Sequence, residues 1–215
     1  MTIKIILADD HRIIREGLRA LMEKESDVEV VAEAADGRTA VKLCREFTPD
    51  VIIMDITMPD LNGIEATHQI LSEFPDIKVI ALSMHSDKRF VSEMFNAGAL
   101  GYLLKDSAFE ELSGALRAVY DNQLYLSTQL AGLKDYLGRV QTTQMLNTSP
   151  MLTTREREVL QLLAEGKTTH QIASSLCLSG KTVAAHRTQI MHKLGLKSIA
   201  ELTKYAIREG ITSLE

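Results

Sequence analysis

The sequence predicts a chain in two parts: an α/β part built as a doubly wound, five-stranded parallel sheet, then an all-α unit of four helices. Three observations predict this. Apolar runs alternate five times with amphipathic stretches between residues 3 and 121, a rhythm that builds βαβ units with helices on both faces of a sheet. Residues 152–210 show helical periodicity and no strand pattern. The charge balance also changes sign. Residues 1–150 hold 15 Lys+Arg against 23 Asp+Glu, a net of -8, whereas residues 151–215 hold nine against six, a net of +3. An acidic part joined to a mildly basic one predicts modules with different partners. The predicted boundaries are 1–122, a connector over 123–150, and 151–215.

In the first part the strands read as residues 3–8, 28–34, 50–54, 77–82 and 100–104. The helices read as 12–24, 37–47, 63–74, 87–97 and 108–121. Right-handed crossovers and a flavodoxin-like strand order bring the carboxyl ends of strands one, three, four and five together. The central run Val51–Met54 is β-branched and apolar, as in a strand buried on both faces, and ends abruptly in Asp55. Pro59, Asp60, Asn62 and Gly63 follow as turn-formers. Asp9 and Asp10 end the first run, Ser83 the fourth and Lys105 the fifth.

Three carboxylates in one small volume repel unless a divalent cation lies among them, and hard oxygen ligands suit magnesium. If the chemistry is phosphoryl transfer to a carboxylate, Asp55 is the nucleophile. Asp10, Asp55 and the backbone carbonyl of Thr57 then bind Mg2+ directly, with Asp9 acting through water. Lys105 offers an ammonium and Ser83 a hydroxyl to phosphate oxygens. His85 lies two positions after Ser83, within reach of the site entrance.

In the connector, Leu126, Leu130, Leu133, Leu137 and Val140 are spaced for one amphipathic helix starting near Ser127. Residues 141–150, polar with one proline, read as a flexible tether. In the last part Thr153…Glu156 and Ser198…Glu201 are capping boxes, and Gly166, Gly195 and Gly210 are placed to end helices. A short helix over 169–176, a tight turn at Leu178-Ser179-Gly180 and a longer helix over 181–194 make helix-turn-helix geometry. At about 100° per residue, Val183, His186, Ile190, Leu194 and the stem of Arg187 form one face of that longer helix. Lys181, Ala185, Thr188 and His192 lie opposite, flanked by Ala184 and Gln189. Lys181 and Thr182 stand at the helix N-terminus, which suits phosphate. Pattern alone leaves DNA binding and protein binding equally open.

These residues together match known families. Asp9-Asp10, Asp55 with Met58-Pro59 and Gly63, Ser83, Ala97-Gly98-Ala99 and Gly101-Tyr102 before Lys105 resemble the receiver domain of bacterial response regulators. The resemblance implies that a sensor histidine kinase phosphorylates Asp55 and that Ser83 and Tyr102 act as a switch pair. Many receivers place proline after the lysine; here it is Asp106, followed by Ser107 and Glu110 at capping-box spacing. Leu152-Thr153-x-Arg155-Glu156, Glu165-Gly166, Leu178-Ser179-x-Lys181-Thr182-Val183, His186-Arg187 and Lys193-Leu194-Gly195 look like the LuxR-type DNA-binding domain. A receiver joined to it is the layout of the NarL/FixJ regulators. The resemblance implies double-stranded DNA, bound as an inverted repeat by a homodimer, with Lys181, Thr182, Ala184, Ala185, Arg187 and Thr188 at the DNA. It also implies pairing along the last helix, through Leu202, Tyr205 and Ala206. Relatives commonly carry lysine or another polar reader where this chain has Ala184 and Ala185, which cannot pair with base edges but can contact thymine methyls, so specificity is expected to lean on Thr188, Lys181 and DNA shape.

Other classes are disfavoured. An aspartate-nucleophile phosphatase needs a second acid two residues after Asp55, where this chain has Thr57, so the chain is predicted not to be an enzyme. A phosphorylation-independent regulator using the first part as a dimerisation module conflicts with the intact acid set. Cys44 and Cys177 lie far apart in apparent helices, which argues against a disulfide. No secretory signal opens the chain and no apolar run spans a bilayer, so a cytoplasmic protein with no membrane partner is expected.

Overall fold

A computed structural model describes residues 2–133 and 152–212. The chain divides into two compact units, one α/β and one helical. The remainder of the predicted connector helix and the tether, residues 134–150, lie outside the described residues.

In the α/β unit the elements run β1 (Ile3–Ala8), α1 (Arg12–Met22), β2 (Val28–Ala34), α2 (Gly37–Phe47), β3 (Val51–Asp55), α3 (Gly63–Glu73), β4 (Lys78–Ser83), α4 (Lys88–Asn96), β5 (Gly101–Leu104), α5 (Ala108–Tyr120) and β6 (Tyr125–Leu126). The sheet is parallel, in the order β2-β1-β3-β4-β5-β6. The first five strands follow the expected doubly wound order, with β3 central and every one of its residues buried. Turn chemistry places the helix starts. Asp36 caps α2 by accepting from the Thr39 amide at 2.7 Å, and Asn62 caps α3 by accepting from the Glu65 amide at 3.0 Å.

Two expectations fail here. Leu126, Leu130 and Leu133 do not share an α-helix: Tyr125–Leu126 form a sixth strand and Thr128–Leu133 a 3-10 helix. The cause is the open edge of β5. Tyr125 N–H donates to Leu100 O at 2.9 Å and Ser127 N–H to Tyr102 O at 2.8 Å, pairing groups that an edge strand leaves bare. The leucine spacing still serves burial, since Leu130 is buried. The second failure is the capping box at Ser107 and Glu110. Lys105–Ser107 form a 3-10 turn leading into α5, and the Ser107 hydroxyl pairs instead with that of buried Ser127 at 2.8 Å. Glu111 locks this join, accepting from Tyr125 Oη, Ser127 Oγ and the Thr128 amide.

The helical unit comprises α6 (Thr154–Ala164), α7 (Thr169–Ser175), α8 (Gly180–Leu194) and α9 (Ile199–Arg208). Both predicted capping boxes form, and a third, Thr168 with Gln171, starts α7. α8 ends where Gly195 takes a left-handed conformation, φ 66°, which glycine adopts without strain. The core is apolar, with Val159, Leu160, Leu162, Ile172, Val183 and Ile190 all buried. Leu202 and Ala206 of α9 belong to this core at 0% exposure. They hold α9 to its own unit and are therefore not a pairing surface, contrary to expectation. At 3.6 residues per turn the face that meets the core cannot also meet a partner.

Candidate functional site: a buried acid cluster and an exposed helix face

Strand register builds the first site. Ala8 lies beside Met54, Asp55 beside Leu82, and Ser83 beside Leu104. The residues just past these partners, Asp9, Asp55 and Lys105, therefore meet at one end of the sheet. Asp55 is only 2% exposed and Asp9 1%. Lys105 Nζ sits 2.8 Å from Asp55 Oδ2 and 2.8 Å from Asp9 Oδ2. Burial of like charges is tolerable only with such a counter-ion. Burial and the neighbouring Asp9 push the Asp55 carboxyl up to about 7, against the opposite pull of Lys105 and the Thr57 amide. For Lys105, burial favours the neutral amine, but Asp55 and Asp9 outweigh it and hold the pKa above its usual value.

Ligand atoms of Asp9, Asp10, His11 and Asp55 all lie within 4.8 Å of one another. Three carboxylates in that space fit a hard divalent cation, as the sequence predicts. Thr57 N–H donates to Asp55 Oδ1 at 3.3 Å, which orients the loop carrying its carbonyl. His11 is a member that sequence reasoning missed. Its Nδ1 lies 2.8 Å from Asp10 Oδ1 and 3.2 Å from Asp9 Oδ1. Adjacency in the run Asp9-Asp10-His11 was the available signal. Arg15 adds a donor to the Asp9 carbonyl at 2.5 Å, which no spacing rule suggested.

The chain fits the acids into this volume through Gly63. A Cβ on Gly63 would lie 2.0 Å from the Asp55 carbonyl oxygen, so the turn from β3 into α3 needs glycine there. Ser83 is buried and its Oγ accepts from the His85 amide at 3.0 Å. Tyr102 is wholly buried and its hydroxyl donates to the His85 carbonyl at 2.7 Å. Burial raises the Tyr102 pKa above its ordinary value. His85 thus joins the two residues through its backbone, while its exposed ring stacks on Phe90 with centroids 4.4 Å apart. Asp106 is exposed and adds no acid to the buried cluster.

In the helical unit the predicted faces of α8 appear as drawn. Val183 and Ile190 are buried, whereas Lys181, Ala184, Ala185 and Thr188 are exposed. Thr182 and Arg187 are half-buried. Ser179 caps the helix, accepting from the Thr182 amide at 3.1 Å. At the far end Lys193 Nζ lies 2.7 Å from Glu156 Oε2, the carboxylate of the α6 capping box. Burial alone would raise the Glu156 pKa, but Lys193 and Thr153 outweigh it and hold it below the usual carboxylate range. One charge pair so ties the exposed helix to the start of the unit. Tyr205, the third residue expected to pair copies, is half-buried beneath the Arg208 guanidinium, 5.4 Å from its ring centre.

Residues 5–117 match the response regulator receiver domain family. Residues 150–206 match the bacterial regulatory proteins of the luxR family. The chain belongs to the NarL/FixJ family of two-component response regulators. It is 39% identical to the oxygen regulatory protein NreC of Staphylococcus epidermidis over 214 residues, 97% of this chain and 98% of that protein. NreC of Staphylococcus aureus is likewise 39% identical over 213 residues, with coverage of 97% and 98%. Among solved structures, the Salmonella typhimurium regulator RcsB superposes with a TM-score of 0.58 at 29% identity, covering 95% of this chain and 97% of that one. A LuxR-family regulator from Aurantimonas gives 0.60 at 38% identity, covering 66% of this chain and 99% of that one. This regulator therefore acts on transcription and is not an enzyme, and a sensor kinase and DNA are its classes of partner. Among the described residues no helix is long and apolar enough to cross a membrane.

Proposed function

We propose that Asp55 accepts a phosphoryl group from a histidine kinase and that this modification controls DNA binding through α8. The carrying observation is a single nearly inaccessible strand-end carboxylate, held 2.8 Å from the Lys105 ammonium beside Asp9 and Asp10. A carboxylate oxygen of Asp55 attacks phosphorus of the phosphohistidine; the new P–O bond forms as the P–N bond breaks and the imidazole leaves. Asp9, Asp10, Asp55 and the Thr57 carbonyl would hold Mg2+, which when bound neutralises phosphate oxygens. Lys105 then turns from Asp55 to the phosphate, and Ser83 donates its hydroxyl to it. Withdrawal of Ser83 from the His85 amide loosens the loop on which Tyr102 is anchored, the route by which the switch pair acts.

On the DNA side Lys181 and Thr182 contact phosphate, and α8 enters the major groove with Ala184, Ala185 and Thr188 toward the bases and Arg187 at the margin. A homodimer binds an inverted repeat, paired along the outward side of α9 with Tyr205 at its edge rather than through Leu202 or Ala206. RcsB has been solved in complex with DNA and as two dimers on parallel DNAs, which supports DNA binding by a dimer. The site of action is the cytoplasm, where kinase and DNA meet. A receiver serving only to dimerise would bury Asp9 and Asp55 for no purpose.

The test is labelling with acetyl phosphate and Mg2+, read by intact mass, alongside DNA binding. Wild type is expected to gain one phosphoryl group and bind DNA more tightly; Asp55→Asn is expected to do neither. Equal responses from both proteins would refute the reading.

A further inference from the structure

The N-terminal half of the outward face of α8, ahead of exposed Gln189 and His192, offers little that can donate a hydrogen bond to a base. Ala184, Ala185 and Thr188 are all exposed, and at about 100° per residue they fall within one sector of the helix. The two alanines end in methyl groups. Thr188 has a hydroxyl, but it donates to the Ala184 carbonyl at 3.1 Å, as threonine often does inside a helix. With that proton engaged, Thr188 has none for purine N7, guanine O6 or thymine O4, the acceptors of the major groove. Its oxygen keeps acceptor capacity only, and beside it projects a methyl. The nearby Thr182 hydroxyl is hydrogen-bonded to the Ser179 hydroxyl at 2.8 Å. The strip from residue 184 to residue 188 is therefore a run of methyl carbons, with the Lys181 ammonium at its N-terminal end.

One feature of the major groove complements such a strip, the C5-methyl of thymine. Contact removes both apolar surfaces from water, whereas a guanine oxygen facing the same strip would be desolvated without a donor. We propose that Ala184, Ala185 and Thr188 recognise thymine through its 5-methyl group. The preferred half-site then places thymines against these residues, and specificity at those positions comes from apolar complementarity, with Gln189 and His192 lying beyond the strip. Phosphate contacts from Lys181 set the register without reading sequence. This inference rests on α8 being the helix in the groove.

The experiment first selects the preferred duplex from random oligonucleotides with the full-length protein treated with acetyl phosphate and Mg2+. That duplex is then resynthesised with deoxyuridine in place of thymidine at single positions, which deletes only the methyl. Each contacted methyl should be worth about fourfold in affinity, the transfer of one carbon group out of water. Thr188→Val keeps a methyl and removes the hydroxyl, and should keep the uridine penalty at its own position. Thr188→Ser removes the methyl, and should lose affinity for thymine but suffer no further loss on uridine at its own position. Uridine tolerated at every position, or a loss of about tenfold or more in Thr188→Val, overturns methyl reading. Ala185→Glu separates the two levels, since it places a charge against the groove. If it binds normally, α8 is not in the groove and the inference falls with it. If it fails to bind while uridine is tolerated, only methyl reading falls.

Discussion

The acid cluster of the α/β unit and the outer face of α8 use side chains in opposite ways. At the strand ends the reactive groups lie beneath the surface, and each charge depends on the others: Lys105 bridges Asp9 and Asp55, all three buried. On α8 most residues proposed to meet DNA stand in solvent, above a largely apolar core. A change to one buried charge therefore alters the stability of its unit, in either direction, while an exposed face can change its chemistry with little effect on folding. Two regulators sharing this architecture can thus keep one phosphoacceptor site and read different DNA.

Parallel lysine substitutions probe this contrast at its extremes. Lys105→Met leaves two buried carboxylates facing one another, and the α/β unit should lose about 3–5 kcal/mol in urea unfolding at neutral pH. A smaller value would mean that solvent already screens the cluster. Gly63→Ala drives a methyl into the Asp55 carbonyl, and a loss of about 3 kcal/mol is expected, with lower labelling by acetyl phosphate. The comparison sharpens further with pH. Free in the unfolded chain, Asp55 ionises near 4, whereas in the fold it is pushed up to about 7. Between those values the folded chain keeps a proton that the unfolded chain releases, so stability falls as pH rises through that window. Asp55→Asn should therefore be more stable than wild type without metal, on the order of 2 kcal/mol at pH 8 and less at pH 5. A gain equal at both pH values would contradict the assignment. Ser127→Ala removes the partner of Ser107 and one donor to Glu111, costing about 1 kcal/mol by thermal melting. The smallest effect on folding belongs to Lys181→Met, below about 0.5 kcal/mol, although its DNA affinity should drop and the salt slope fall by about one.

Much of the acid site was legible because it is built from strand ends. A β-branched run closed by one acid and a turn marks β3 and Asp55, and the same pattern marks Asp9, Ser83 and Lys105; parallel order then brings them together. The capping boxes at Thr153 and Ser198 were equally plain, since both partners lie within three residues. What escaped was contact between distant segments. Ser107 has the spacing of a cap but finds Ser127, and Leu126 and Leu130 have the spacing of a helix but cover the edge of β5. Leu202 and Ala206 were expected to face a partner copy and instead face the core. Helical periodicity shows that a face is apolar without saying whether the core or a partner covers it.

Residue pattern alone was enough to order the five βα units and the helices after them, and to show which acids crown the sheet; that the first part resembles a receiver and the second a LuxR-type domain rested on motif resemblance. The first set of features depends on period, turn chemistry and caps, read from residues a few positions apart. Only the tertiary structure decided that Lys105 bridges Asp9 and Asp55, that a sixth strand closes the sheet edge, and that α9 gives its leucine to the core. Such outcomes turn on which remote group reaches an unpaired amide, a buried charge or an apolar face, and the free energy of that choice is set by packing in space.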